Sequence, residues 1–132
     1  MMVVVRKEME LENRDVADVI EGYPEDVQAG IVALRTCILA VADSHRIELE
    51  EALRWGQPAY LAAKGSTLRL GVPKTGGYAL YAHCQTSLIS DFKALHPELH
   101  FEGNRAVHFG VKETPPVVIE MLIYAALTYH QR

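Results

Sequence analysis

The sequence predicts an α+β fold, with a mostly antiparallel sheet of about four to five strands packed against helices. Two observations support this prediction. Apolar residues recur at three- and four-residue steps between Pro24 and Ser44, which is the pattern of a helix with one buried face. Short apolar segments separated by glycine-containing turns then run from residue 47 to residue 83, which is typical of an antiparallel meander.

Four helices are predicted from capping residues and apolar spacing. We expect Asn13 to cap the first helix and Pro24 to stand in the first turn of the second. Thr86 is expected to cap the third helix. Thr114 is expected to cap the last, with Pro115 in its first turn. The second helix has the clearest pattern, given by Val27, Ile31, Leu34, Ile38 and Val41.

The strands are predicted between turn residues. Gly56 and Pro58 bend the chain between the first two strands, and Gly65 lies in the next turn. The strands are expected at residues 47–55, 59–63, 67–72, 78–83 and 106–111. The element order is therefore two helices, a meander, a helix, a strand and a last helix.

Length and composition indicate a single core. The chain has 132 residues, of which 49% are hydrophobic and 23% charged. Two domains within this length would each be too small to bury a secure core. The longest apolar runs, 1–5 and 117–129, are shorter than the roughly 20 residues of a membrane helix or are interrupted by Glu120. Since no secretory signal is recognisable, we expect a cytoplasmic protein with no membrane partner.

Charge is distributed unevenly along the chain. The net charge is -4, and residues 1–26 carry eight acidic against three basic residues. The rest of the chain is therefore nearly neutral. Because nucleic-acid binding requires a basic surface to neutralise phosphates, we expect no nucleic-acid partner. Cys37 and Cys84 lack metal-binding or disulfide-rich spacing and are interpreted as reduced thiols.

The segment from Trp55 to Tyr60, here called the aromatic bend, is the most unusual part of the sequence. Glycine and proline fix its backbone, so that its aromatic side chains can line a pocket beside the next hairpin. The alternative interpretation is that these aromatics fill the core between sheet and helices. The candidate ligand-binding residues are Trp55, Pro58, Tyr60, Lys74, Tyr78, Tyr81 and His83.

The same segment carries a family resemblance. Trp55-Gly56-x-Pro58-x-Tyr60, followed by Gly77-Tyr78-Ala79-Leu80-Tyr81 and a proline-led last helix, resembles the YdhG-like family of small bacterial domains of unknown function. The resemblance covers residues 14–130, which it identifies as a single YdhG-like domain with residues 1–13 as an N-terminal extension. It implies a compact α+β fold of helices against a mostly antiparallel sheet.

The resemblance also implies a metal. Some YdhG-type members are described as frataxin-like iron chaperones, and frataxin-like proteins use an exposed acidic ridge. Carboxylate surfaces suit hard or borderline cations that are bound weakly. The alternative is a solvated helix face that complements a helix N-terminus. The candidate iron-binding residues are Asp15, Asp18, Glu21, Glu25 and Asp26.

Three functions therefore remain open. The first is frataxin-like iron handling, and the second is binding of a small molecule or anion at the aromatic bend. The third is protein interaction through the acidic face, for which the sequence indicates no particular partner. No Gly-x-Ser-x-Gly elbow or phosphate-loop order is present, so enzyme activity has the least support.

Overall fold

The computed structural model describes residues 13–131. These residues form four α-helices and one six-stranded antiparallel sheet, which confirms the α+β class. The sheet has six strands, slightly more than the four to five predicted. The helices are α1 (Arg14–Glu21), α2 (Glu25–Ser44), α3 (Leu88–Leu95) and α4 (Ile119–Leu127).

The sheet has the strand order β1-β2-β3-β4-β6-β5. The additional strand is β5, which pairs with β6 at the edge of the sheet. Its three residues are too few to show an alternating pattern, so apolar spacing does not predict it. The strands are β1 (Glu50–Arg54), β2 (Gln57–Leu61), β3 (Leu68–Gly71), β4 (Tyr78–Tyr81), β5 (His100–Glu102) and β6 (Ala106–Phe109).

The helix starts agree in part with the capping residues. Asn13 caps α1, since its side-chain oxygen accepts a hydrogen bond from the Val16 amide at 3.2 Å. The last helix begins at Ile119, four residues beyond the predicted start at Pro115. Pro116 disfavours helical geometry at Pro115, and a turn in which the Ile119 amide donates to the Pro116 carbonyl precedes the α-helix. The N-cap is therefore Val118 and not the predicted Thr114. Pro24 lies at the N-cap position of α2, one residue before the predicted place.

All four helices pack on one face of the sheet. Alternate strand residues contribute to one core with buried residues from every helix. Tyr78 lies directly over α2, where a Cβ at Gly30 would come within 2.3 Å of the tyrosine ring. Glycine at position 30 therefore lets helix and sheet approach closely. The strand residues of this face are Tyr60, Leu68, Leu70, Tyr78, Leu80, Val107 and Phe109.

A buried polar cluster joins α2 to the β1–β2 hairpin. The side chains of Arg35 and Glu51 are 6% and 5% exposed and form an ion pair in which Arg35 Nη2 donates to Glu51 Oε1 at 2.7 Å. The Tyr60 hydroxyl donates to Glu51 Oε2, also at 2.7 Å. Burial, followed by the adjacent Glu51 carboxylate, raises the pKa of Tyr60, so this hydroxyl stays protonated as a donor.

Helix α2 is, within residues 13–131, the one helix long and apolar enough to cross a membrane by length and composition. Nine of its residues are buried against the rest of the fold. The core helix of a soluble protein can have the same length and apolar composition, so these two properties do not distinguish a core helix from a membrane-spanning one. The expectation of no membrane partner stays a prediction.

Candidate anion-binding site

The second face of the sheet, here called the open face, lies opposite the helices. Its strand residues alternate with those of the helical face, and they include a small cluster of Ala79, Tyr81 and Ala106. Ala59 occupies the same face and is fully buried. Because the alanines are short, the face is shaped by the longer side chains around them.

An open pocket of about 480 Å³ lies beside this face. Three arginines line it, and no carboxylate is among the described residues of its wall. The arginines come from three separate places in the chain, since Arg54 ends β1, Arg69 lies within β3 and Arg105 precedes β6. The lining residues are Arg54, Trp55, Thr67, Arg69, Ala82, His83, Cys84 and Arg105. We call this the arginine pocket.

Arg69 is held in place by two neighbours on adjacent strands. Its Nη1 donates a hydrogen bond to Gln57 Oε1. Its guanidinium carbon lies 5.5 Å from the centroid of the Tyr81 ring, within the range of a cation–π contact. Gly71 makes room for this arrangement, since a Cβ there would come within 2.4 Å of Gln57 Nε2. The position of Arg69 therefore depends on a glycine that sequence spacing did not single out.

Arg105 approaches the same tyrosine from the turn between β5 and β6. Its guanidinium carbon lies 5.8 Å from the Tyr81 ring centroid, and its Nε lies 3.3 Å from Glu102 Oε2. The turn is held to the segment that follows β4, because Asn104 Nδ2 donates to the Cys84 carbonyl at 2.8 Å. The Ala82 amide also donates to the Arg105 carbonyl at 2.9 Å. Tyr81 thus contacts two of the three arginines.

Arg54 and Trp55 reach the pocket from the β1–β2 hairpin. Arg54 pairs with Gln57, so Trp55 and Gly56 form a two-residue turn. Both have positive φ, 57° and 74°, as a type I′ turn requires. Asparagine is the usual first residue of such a turn, whereas a tryptophan there is unusual. The Trp55 side chain is displayed to solvent, with an exposed fraction of 89%.

The electrostatics of the pocket favour an anion. Within residues 13–131, no carboxylate forms an ion pair with Arg54 or Arg69, whereas Arg105 is paired with Glu102. Burial and then Glu102 raise the pKa of Tyr81, opposed by Arg105 and Arg69. Tyr81 therefore stays neutral and presents its ring to the two cations. Among the described residues, two positive charges thus face the pocket without an internal counter-ion.

The predicted ligand residues are divided between the two faces. Trp55 and His83 line the arginine pocket, and Tyr81 supports it from the open face. Tyr60 and Tyr78 lie in the core on the helical face, where the Tyr78 hydroxyl donates to the Glu113 carbonyl. The remaining two do not line the pocket: Pro58 is buried in β2 and Lys74 is exposed between β3 and β4.

The predicted iron-binding residues are all exposed. Asp15, Asp18 and Glu21 lie on α1, and Glu25 and Asp26 are in the first turn of α2. Arg14 is the first residue of α1, and its Nη2 lies 3.0 Å from Asp18 Oδ1 and 3.9 Å from Glu21 Oε1. In the part of the chain that the structure describes, no three His, Cys, Asp or Glu residues are grouped closely enough to hold a metal ion.

Sequence reasoning missed the three arginines of the pocket. The signal that could have found two of them is strand alternation. Arg69 lies between the core residues Leu68 and Leu70, so it points to the opposite face. Arg54 follows the partly buried Leu53 in the same way. Their convergence depends on the strand order, which one-dimensional spacing does not contain.

A second pocket, of about 410 Å³, lies near the ends of α2 and α4. It is lined by two cations, Arg46 and Lys64, and by the carboxylate of Glu48. The ring of His45 lies 4.4 Å from that of Tyr124 at its wall. Because Glu48 offsets one of the two cations, this pocket is less positive than the arginine pocket and provides a comparison for it.

Comparison of the chain with protein-family models, with curated proteins and with solved structures finds no match to any of them. The YdhG-like resemblance therefore stays a prediction, and the functional argument rests on the geometry of the site.

Proposed function

We propose that the chain is a binding module for a small anionic ligand, which it holds in the arginine pocket. The observation that carries this proposal is the convergence of Arg54, Arg69 and Arg105 on one pocket without a carboxylate among its described wall residues. Guanidinium groups bind phosphates and carboxylates through paired hydrogen bonds, which are among the stronger ones in proteins. Phosphate- and carboxylate-bearing small molecules are therefore the ligands that suit the site.

The size of the pocket supports a small ligand. A volume of about 480 Å³ lies within the usual range of roughly 300 to 1,000 Å³ for small-molecule sites. The chain as a whole carries a net charge of -4, so a large polyanion would be repelled elsewhere on the surface. A compact anion can meet the arginines while avoiding that repulsion.

The first test is a calorimetric titration of the full chain with pyrophosphate. We expect saturable binding that weakens as the salt concentration rises, because an open cationic site is partly screened. Absence of heat at low salt, with the protein shown to be folded by circular dichroism, would contradict the proposal.

Iron handling at the acidic face is the second candidate. It is supported by the exposure of its five carboxylates, which leaves them accessible to a weakly held cation. The neighbouring Arg14 competes for two of them. An anaerobic titration with ferrous iron, with magnesium as the control ion, tests this candidate. Iron-specific binding that is lost in the Asp15→Asn, Asp18→Asn, Glu21→Gln triple variant would support it, and equal weak heats from both ions would contradict it.

A further inference from the structure

The Trp55 side chain is the least explained feature of the arginine pocket. Trp55 lines the pocket and is 89% exposed. Its indole makes no contact with another aromatic ring or with a cation among residues 13–131. A tryptophan that packed for stability would be largely buried, because its large apolar surface is the source of its stabilising effect. Trp55 therefore contributes little to the core.

The backbone conformation of Trp55 also indicates that this residue does not serve the stability of the fold. The residue has φ of 57°, a conformation that bulky side chains rarely adopt. Asparagine would suit the first position of this two-residue turn better. The chain thus displays a large flat ring from the two-residue turn of the hairpin, at a position where a smaller residue would favour the fold. Trp55 lines the same pocket as Arg54, Arg69 and Arg105.

We propose that the ligand of the arginine pocket is an anion that carries a planar aromatic or heteroaromatic ring, and that this ring stacks on Trp55 while the arginines hold the anionic group. This inference rests on the proposed function, to which it adds the ligand class. Exposed aromatic rings beside cationic grooves are the means by which proteins hold bases together with their phosphates. A mononucleotide has both groups within a size that the pocket admits.

The experiment uses three probes that separate the ring from the charge. Adenosine monophosphate has both, ribose 5-phosphate has the phosphate without the base, and adenosine has the base without the phosphate. Trp55 is the only tryptophan in the sequence, so intrinsic tryptophan fluorescence reports on this residue alone. Calorimetry measures the affinity of each probe for the full chain in parallel.

We expect adenosine monophosphate to bind about tenfold more tightly than ribose 5-phosphate, and to quench Trp55 fluorescence where ribose 5-phosphate does not. In the Trp55→Asn variant, adenosine monophosphate should bind only as well as ribose 5-phosphate. Because asparagine is favoured in this turn, a loss of affinity there is not a loss of folding. Trp55→Phe keeps a ring and should retain a larger share of the tenfold difference.

The outcomes distinguish this inference from the proposed function. Equal affinities for the two phosphates, with unchanged fluorescence, would overturn stacking on Trp55 and leave anion binding intact. Adenosine binding as tightly as adenosine monophosphate would overturn the role of the arginines. No binding of either phosphate would overturn this inference, and absence of pyrophosphate binding as well would overturn the proposed function.

Discussion

The guanidinium of Arg69 lies 5.5 Å from the centre of the Tyr81 ring, which also has Arg105 at 5.8 Å. One buried tyrosine therefore positions two of the three arginines of the pocket. Tyr81 does not itself line the pocket wall. The negative face of an aromatic ring attracts cations, so the Tyr81 ring stabilises both guanidiniums beside the pocket.

Replacement of this ring should weaken anion binding without removal of any charge. In Tyr81→Leu the cation–π contacts are lost, and we expect affinity for pyrophosphate to fall by about fivefold, corresponding to about 1 kcal/mol. Tyr81→Phe keeps the ring and should bind nearly as well as the wild type. Calorimetry on both variants checks this. Equal affinities of the Leu and Phe variants would show that the ring has no part in positioning the arginines.

Gly71 should also affect anion binding, because it leaves room for the two residues that hold Arg69. A Cβ at this position would lie 2.4 Å from Gln57 Nε2 and 3.1 Å from a carbon of the Tyr81 ring. Gly71→Ala should therefore displace both neighbours of Arg69 and reduce pyrophosphate affinity severalfold. Gly110→Ala is the matched control, since its nearest contact is an ordinary 3.5 Å. If the two variants bind alike, Arg69 does not depend on this packing.

The buried cluster of Arg35, Glu51 and Tyr60 predicts a large effect on stability. Glu51→Ala leaves the Arg35 guanidinium buried without this partner, and we expect it to lower the free energy of unfolding by about 3 to 5 kcal/mol. Tyr60→Phe removes one hydrogen bond to a charged group and should cost about 1 to 3 kcal/mol. Urea unfolding measures both. Glu50→Ala, at an exposed neighbouring position, is the control and should change stability little.

The two cysteines should differ in their reactivity. Burial, followed by the nearby charge of Glu120, raises the pKa of Cys37 from 9.0 to about 11. At pH 8 the thiolate fraction of Cys37 is then about 100-fold below that of an ordinary thiol. Because the thiolate is the reacting species, Cys37 should react correspondingly more slowly. Cys84 is exposed in the arginine pocket and should react first with an anionic aryl disulfide.

Raising the pH towards 11 should accelerate the reaction of Cys37 with the disulfide. Comparison of Cys37→Ser with Cys84→Ser assigns each phase, and a fast Cys37 at pH 8 would contradict this account.

The fold class followed from the sequence because its signals are local. Helical spacing between Val27 and Val41 and the turns at Gly56 and Gly65 depend on neighbouring residues, and these elements are present in the structure. Strand β5 and the start of α4 were missed. The first is too short for a pattern. The second is preceded by a turn from Pro116 to Ile119, while Pro116 disfavours helical geometry at Pro115.

The candidate site followed from the sequence much less completely. The aromatic bend was singled out as one unit, but strand alternation sends Tyr60 to the helical core while the turn displays Trp55 at the pocket. The arginines come from positions 54, 69 and 105, and their convergence is set by the antiparallel pairing of distant strands. Such pairing is a property of the whole fold.

The most direct test of the arginine pocket compares two double variants that each remove two positive charges. Arg54→Gln with Arg69→Gln changes the arginine pocket, and Arg46→Gln with Lys64→Gln changes the second pocket. Pyrophosphate affinity is measured by calorimetry for both and for the wild type. We predict a loss of at least about tenfold in the first variant, since charge-assisted hydrogen bonds are removed, and less than about twofold in the second. Equal losses in the two variants would show that only net charge attracts the anion and would contradict a specific site.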